Sequence, residues 1–139
     1  MARTFLVGRI LAGGYYLFSA WHHFADLGNL SRYAGMHGVP APTLAVLVAG
    51  VLLLVGGLSI LLGVFPPLGV AALVLFFVPV TLTMHAFWTV HDPLLRTNDF
   101  INFTKNIALL GYTLMLLAEP RPWPYSLERR LRRPVRAAV

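Results

Sequence analysis

Between residues 84 and 106 the sequence reads MHAFWTVHDPLLRTNDFINFTKN. It sets His85, His91, Asp92, Arg96, Asp99 and Lys105 among asparagines, between stretches that are almost wholly apolar. Imidazoles, carboxylates and an ammonium are groups that hold ligands by hydrogen bonds and pass protons near neutral pH. Helical spacing draws them together. Asn98, Asn102 and Lys105 fall at i, i+4 and i+7, with Asp99 and Asn106 on nearly the same stripe, so one helix face is polar and the other is Ile, Phe and Leu. Thr81, His85 and Trp88 repeat the spacing upstream, as do Tyr15, Ser19 and His22, with Tyr16 and His23 on the adjacent stripe. These lines predict one polar pocket whose candidate ligand-binding residues are His22, His23, His85, Trp88, Asp92, Arg96, Asp99, Asn102, Lys105 and Asn106. No catalytic residue is assigned.

Lys105 stands out as the sole lysine beside ten arginines, and it interrupts an apolar run. An ionisable group at membrane depth costs at least a few kcal/mol unless it is paired or hydrated, which marks a functional position. The plainer reading is a snorkelling ammonium paired with Asp92 or Asp99. His85 divides in the same way between a structural hydrogen bond and a ligand contact, and His37 and His91, in loops, rank below it. A metal or haem site is disfavoured and no metal is expected: the chain has no HExxH, no paired-ligand spacing within a helix and no cysteine.

The elements that must position these groups follow from composition. The 139 residues make one domain, 58% hydrophobic and 12% charged, against about 25% charged in soluble proteins. Four apolar runs, 5–21, 43–65, 68–88 and 100–118, are each near the roughly 20 residues a helix needs to cross about 30 Å of hydrocarbon. The fold class expected is therefore all-α, an integral membrane four-helix bundle, with residues 1–120 as the four-span domain. The first run has a basic start, but Phe18 spoils a small-x-small cleavage site, so it reads as a retained span and not a signal peptide. Arg3, Arg9 and the arginines after residue 120 put both termini on the cytoplasmic side by the positive-inside rule. Residues 121–139 form a basic cytoplasmic tail, with Trp123 and Tyr125 beside it, lying along anionic headgroups; no nucleic-acid partner is expected. The loops 22–42 and 89–99 then face outward, and all five histidines gather at that face. Pro79 should kink the third helix below Thr81 and His85, and Gly50, Gly56, Gly57 and Gly63 should let helix backbones approach.

The segments HHF (22–24), GVPAP (38–42), GGLSILLG (56–63), PVTLTMHAFW (79–88), DPLLR (92–96) and FTKNIALLG (103–111), in this order, resemble the DoxX family of small four-helix membrane proteins. The resemblance covers nearly the whole chain apart from the basic tail. It implies a multi-pass protein of the bacterial cytoplasmic membrane, similar to small subunits of quinone-linked oxidoreductases such as thiosulfate:quinone oxidoreductase. The functional expectation is a quinone-interacting subunit in which Tyr15, Tyr16, Phe87 and Trp88 hold the ring and His85 or Lys105 meets a quinone oxygen, tuned by Asp92 or Asp99. Electrons would come from a partner protein or a substrate, because no redox cofactor motif is evident. The alternative is a non-catalytic assembly or oxidative-stress module; homo-oligomers through a lipid-facing surface are open to either.

Overall fold

The computed structural model describes residues 1–131, and Arg132, Arg133 and Arg136 of the expected tail lie outside the described residues. Within them the chain forms α1 (Ala2–Ala25), α2 (Leu27–Met36), α3 (Pro42–Leu62), α4 (Pro66–Met84), α5 (Pro93–Met115) and the short α6 (Leu127–Leu131), with 3-10 turns at Phe87–Thr89 and Leu116–Ala118. Proline opens α3, α4 and α5, where its missing N–H has no helical partner to lose. Pro42–Leu62, Pro66–Thr89 and Pro93–Ala118 are long and apolar enough to cross a membrane. At 24 residues, α1 is about 36 Å long at 1.5 Å per residue and packs along α3 with a more polar make-up. The fold is an all-α membrane bundle.

Element boundaries depart from the apolar runs at both ends of the polar stretch. α5 begins at Pro93 and not near residue 100, because Asp92 caps it by accepting the Leu95 N–H at 2.9 Å and Pro93 takes the first helical position. α4 continues through Pro79 but stops at Met84, short of residue 88. Thr83 Oγ1 donates to the Pro79 carbonyl at 2.8 Å in its last turn. The expected outer loop 22–42 contains α2, which buries Ser31 and Ala34 on the side that packs against α3.

Neighbours run α1 to α3, α3 to α4 and α4 to α5. Glycine sets how close they come. A Cβ on Gly13 would lie 2.8 Å from Leu61 Cβ and 3.0 Å from its backbone, and one on Gly57 would meet Leu17 at 2.9 Å, so α1 and α3 touch nearly backbone to backbone. Gly56 receives Leu73 of α4 in the same way. Gly63 has a different task from the helix approach expected of it. It ends α3 in the left-handed conformation at φ 66°, where the Val64 N–H reaches back to the Ser59 carbonyl and Ser59 Oγ donates to the Val64 and Phe65 carbonyls. Across the bundle, Tyr16 packs edge-on to Phe77 and its hydroxyl meets Thr113 Oγ1 at 3.0 Å, which bridges α1 to α5.

The two ends of the bundle are built differently. At one end Arg9, only 1% exposed, sends Nε to the Ile60 carbonyl at 3.0 Å, Nη2 to Leu61 at 2.9 Å and Nη1 to Pro124 at 2.9 Å. Its guanidinium also stacks near Trp123, 5.3 Å from the ring centre, and Phe5, at 5.8 Å. Trp123 is fully buried, so the segment after α5 folds back under the bundle, where the sequence suggested a side chain at the headgroups. The start of α1, the α3–α4 turn and the exit from α5 therefore meet at one end. The polar stretch lies at the other.

Replacing Arg9 with Met should strand three carbonyls and lower stability by about 3 kcal/mol or more, from about 1–3 kcal/mol for each buried group left unsatisfied. Thermal unfolding in detergent, followed by the far-ultraviolet helix signal, measures it. Arg9→Lys should recover part of the loss, since a lysine keeps the charge but lacks the planar fork that reaches several carbonyls at once.

Candidate functional site

A cavity of about 620 Å³ opens among α1, α2, α3, α4 and α5 at the end of the bundle away from Arg9. Its apolar wall is built mainly by Ala49, Leu52 and Leu53 of α3 with Leu75, Phe76, Phe77 and Val80 of α4. Polar side chains reach it from α1 (Tyr15, Ser19, His23), from α2 and its end (Tyr33, His37), from the end of α4 (His85) and from α5 (Lys105, Asn106). Tyr15, Val48 and Leu75 are both lining residues and exposed ones, so the cavity reaches the flank of the bundle that faces lipid. An apolar chamber with a few polar groups is the usual build of a small-molecule site, and such sites run roughly 300–1,000 Å³.

His23, His37 and Lys105 are held by bonds within one turn, and His85 by Asp99 of α5. His23 is one turn above Ser19 and donates Nδ1–H to its carbonyl at 2.8 Å, while its ring meets Phe76 edge-on. His37 does the same to the Tyr33 carbonyl at 2.9 Å and packs against the Tyr33 ring, 4.4 Å between centres. His85 terminates α4 and directs Nδ1 toward Oδ1 of the buried Asp99 across a long 3.4 Å contact. Lys105 Nζ donates to Asn102 Oδ1 at 2.8 Å, and Asn102 Nδ2 in turn donates to the Asn98 carbonyl at 3.0 Å. Asn106 is 6% exposed, lines the cavity and has no side-chain hydrogen bond among the described residues. Burial, and secondarily the charge of Asp99, pushes the Tyr33 phenol above its ordinary value, so it stays a neutral donor.

Four of the expected residues, His23, His85, Lys105 and Asn106, meet at this cavity, with Asp99 and Asn102 directly behind two of them. The other four stand apart. His22 is exposed on α1, because it is His23 that continues the Tyr15–Ser19 line at i+4. Asp92 is spent on capping α5 and is exposed, and Arg96 is exposed one turn later. Trp88 is 52% exposed and stacks on Phe87 and Phe103 outside the cavity. The ammonium of Lys105 pairs with Asn102 and not with Asp92 or Asp99.

Of the cavity's polar residues, the sequence missed Tyr33 and ranked His37 low, and at the opposite end of the bundle it missed the buried role of Arg9. Tyr33 lies on α2 and His37 directly follows it as its C-cap; the short Leu27–Leu30–Ser31–Ala34 pattern of α2 was the available signal. Arg9 was counted as a topology charge although it also interrupts an apolar run, the same signal that singled out Lys105. Among the described residues no group of three or more histidine and carboxylate side chains comes together to hold a metal ion.

Comparison with known proteins agrees with this architecture. The DoxX family model matches residues 4–86, more than half of the sequence. The chain belongs to the DoxX family. The matched DoxX region spans α1 to α4 and ends one residue past His85, so His23 and His85 lie within it. DPLLR and FTKNIALLG lie beyond it, and with them Asp99, Lys105 and Asn106 on α5. No curated protein and no solved structure matches the chain. It is a multi-pass DoxX protein of a membrane bilayer.

A Cβ on Gly50 would come within 2.8 Å of Phe24 Cζ and 3.1 Å of His23 Cβ. Gly50→Ala should therefore displace the His23 corner and cost about 1–3 kcal/mol as an overpacked contact, read as a lower midpoint in detergent. Tyr16→Phe should cost about 1 kcal/mol, the net worth of one hydrogen bond, since Thr113 still donates to the Leu109 carbonyl.

Proposed function

We propose that this DoxX protein is a quinone-interacting small subunit of an oxidoreductase system in the bacterial cytoplasmic membrane, with its cavity on the extracytoplasmic side. The observation that carries the reading is the cavity itself: an apolar chamber that reaches the lipid-facing flank and gathers imidazole, ammonium and carboxamide groups on its walls. A quinone is a flat polar ring on an apolar tail, and it arrives from lipid. Tyr15, Phe76 and Phe77 supply aromatic surface for the ring, with Leu52, Leu53 and Leu75 along the tail. Lys105 and Asn106 supply donors to a ring oxygen, and the His85–Asp99 pair holds a proton beside it. When bound, the quinone couple supplies the electron-carrying chemistry that the cysteine-free chain lacks, and a partner protein or a substrate supplies the electrons.

The test is calorimetric titration of the detergent-solubilised protein with a short-chain ubiquinone analogue. Wild type should bind saturably with one site. Ala49→Phe, which fills the chamber, should abolish binding, and Lys105→Ala or His85→Ala should weaken it about tenfold or more, from about 1.4 kcal/mol for a lost polar contact. Absence of saturable binding in wild type would sink the quinone reading and favour the assembly or stress module, which predicts co-purification with another protein and no ligand affinity alone.

A further inference from the structure

The three histidines that line the cavity are fixed in the same sense. His23 and His37 each direct Nδ1 at a backbone carbonyl, at 2.8 and 2.9 Å, and His85 directs Nδ1 at a carboxylate oxygen at 3.4 Å. Carbonyl and carboxylate oxygens only accept, so the proton resides on Nδ1 in each ring. A neutral imidazole has one N–H, which leaves Nε2 as a lone-pair acceptor. None of these Nε2 atoms has a hydrogen-bond partner among the described residues, and all three rings line the cavity. The walls thus offer acceptors in need of donors. The free carboxamide of Asn106, 6% exposed and able both to donate and to accept, is the independent sign that a polar ligand completes the set.

Resting on the quinone reading above, we infer that the site takes the reduced, hydroquinone form of its ligand in preference to the oxidised quinone. A hydroquinone hydroxyl donates to an imidazole Nε2 while its oxygen accepts from Lys105 or Asn106, so both kinds of wall group are satisfied by one functional group. A quinone carbonyl only accepts. It serves Lys105 and Asn106 but gives no donor to the imidazole lone pairs of the half-buried His23 and His85, and a site built to hydrogen-bond a hydroxyl rejects the analogue that lacks it. The tautomers, and not the residue types alone, carry this choice. The same histidines with Nε2–H would favour the oxidised form.

The experiment is anaerobic titration of the full-length protein in detergent at pH 8, above the ordinary imidazole value of about 6.5. Three forms of one short-chain ubiquinone analogue are compared: oxidised, reduced, and reduced with both hydroxyls O-methylated. The hydroquinone should bind at least tenfold more tightly than the quinone, and the dimethyl ether no more tightly than the quinone. A tenfold preference also raises the midpoint potential of the bound two-electron couple by about 30 mV. His23→Phe and His85→Phe, checked for an unchanged elution profile, should narrow the preference. The wild-type comparison of hydroquinone with its ether stands even where a variant fails to fold. Equal binding of the two redox forms, or tighter quinone, overturns this inference and leaves the quinone site intact. Binding of neither form overturns the quinone reading and this inference with it.

Discussion

The arrangement depends on a guanidinium buried with no carboxylate partner among the described residues. Arg9 cannot shed its proton in a protein interior, and a full charge removed from water needs compensation from many partial ones. It finds this at the end of α3, where the last carbonyls of a helix have no intrahelical partner and carry the negative end of the macrodipole. Ile60 and Leu61 supply two of those carbonyls and Pro124 the third. One side chain thereby fixes α1 against α3 and draws the segment after α5 beneath both. Trp123 is buried as the lid of this arrangement, edge-on to Phe5 at 5.3 Å.

With one end closed so tightly, the other is free to be spacious. Glycines bring α1 and α3 together through Gly13 and Gly57, and Gly56 does so for α3 and α4. Between α1 and α5 the hydrogen bond among the described residues is the one from Tyr16 to Thr113, in the last turn of α5. Beyond that bridge the helices enclose the cavity, and His23, His37 and Lys105 at its walls are held by their own neighbours one turn away. Such i, i+4 bonds orient rings without filling the chamber. The division is between a packed half closed around Arg9 and an open half that holds the cavity and its polar groups.

Lys105 and Arg9 illustrate two solutions to one problem. Both interrupt apolar helices. Arg9 is consumed by backbone carbonyls and is fully committed, whereas Lys105 makes one bond, to Asn102, and keeps N–H groups available at the cavity. Identical logic applied to the sequence flags both, and the distinction between a clamp and a cavity-lining group lies in what surrounds them.

The apolar runs by themselves determined the class of this protein. Stretches near twenty residues in lipid must satisfy their own backbone hydrogen bonds, so an all-α membrane bundle followed from composition, and the ordered motifs sufficed for the DoxX resemblance. The polar stripe of α5 was legible for the same reason, since a fixed 100° turn per residue puts Asp99, Asn102 and Asn106 on one side. Only the tertiary structure decided which members of that stripe share a site. His22 and His23 are neighbours in sequence and face apart, because helical rotation matters only relative to a partner helix. Asp92 looks like a tuning carboxylate until its bond to the Leu95 N–H shows it capping α5. The tautomers of the three histidines rest on where each Nδ1 finds an acceptor, two within a helical turn and one on the neighbouring α5 at Asp99, and a distance between helices is not written in any local spacing.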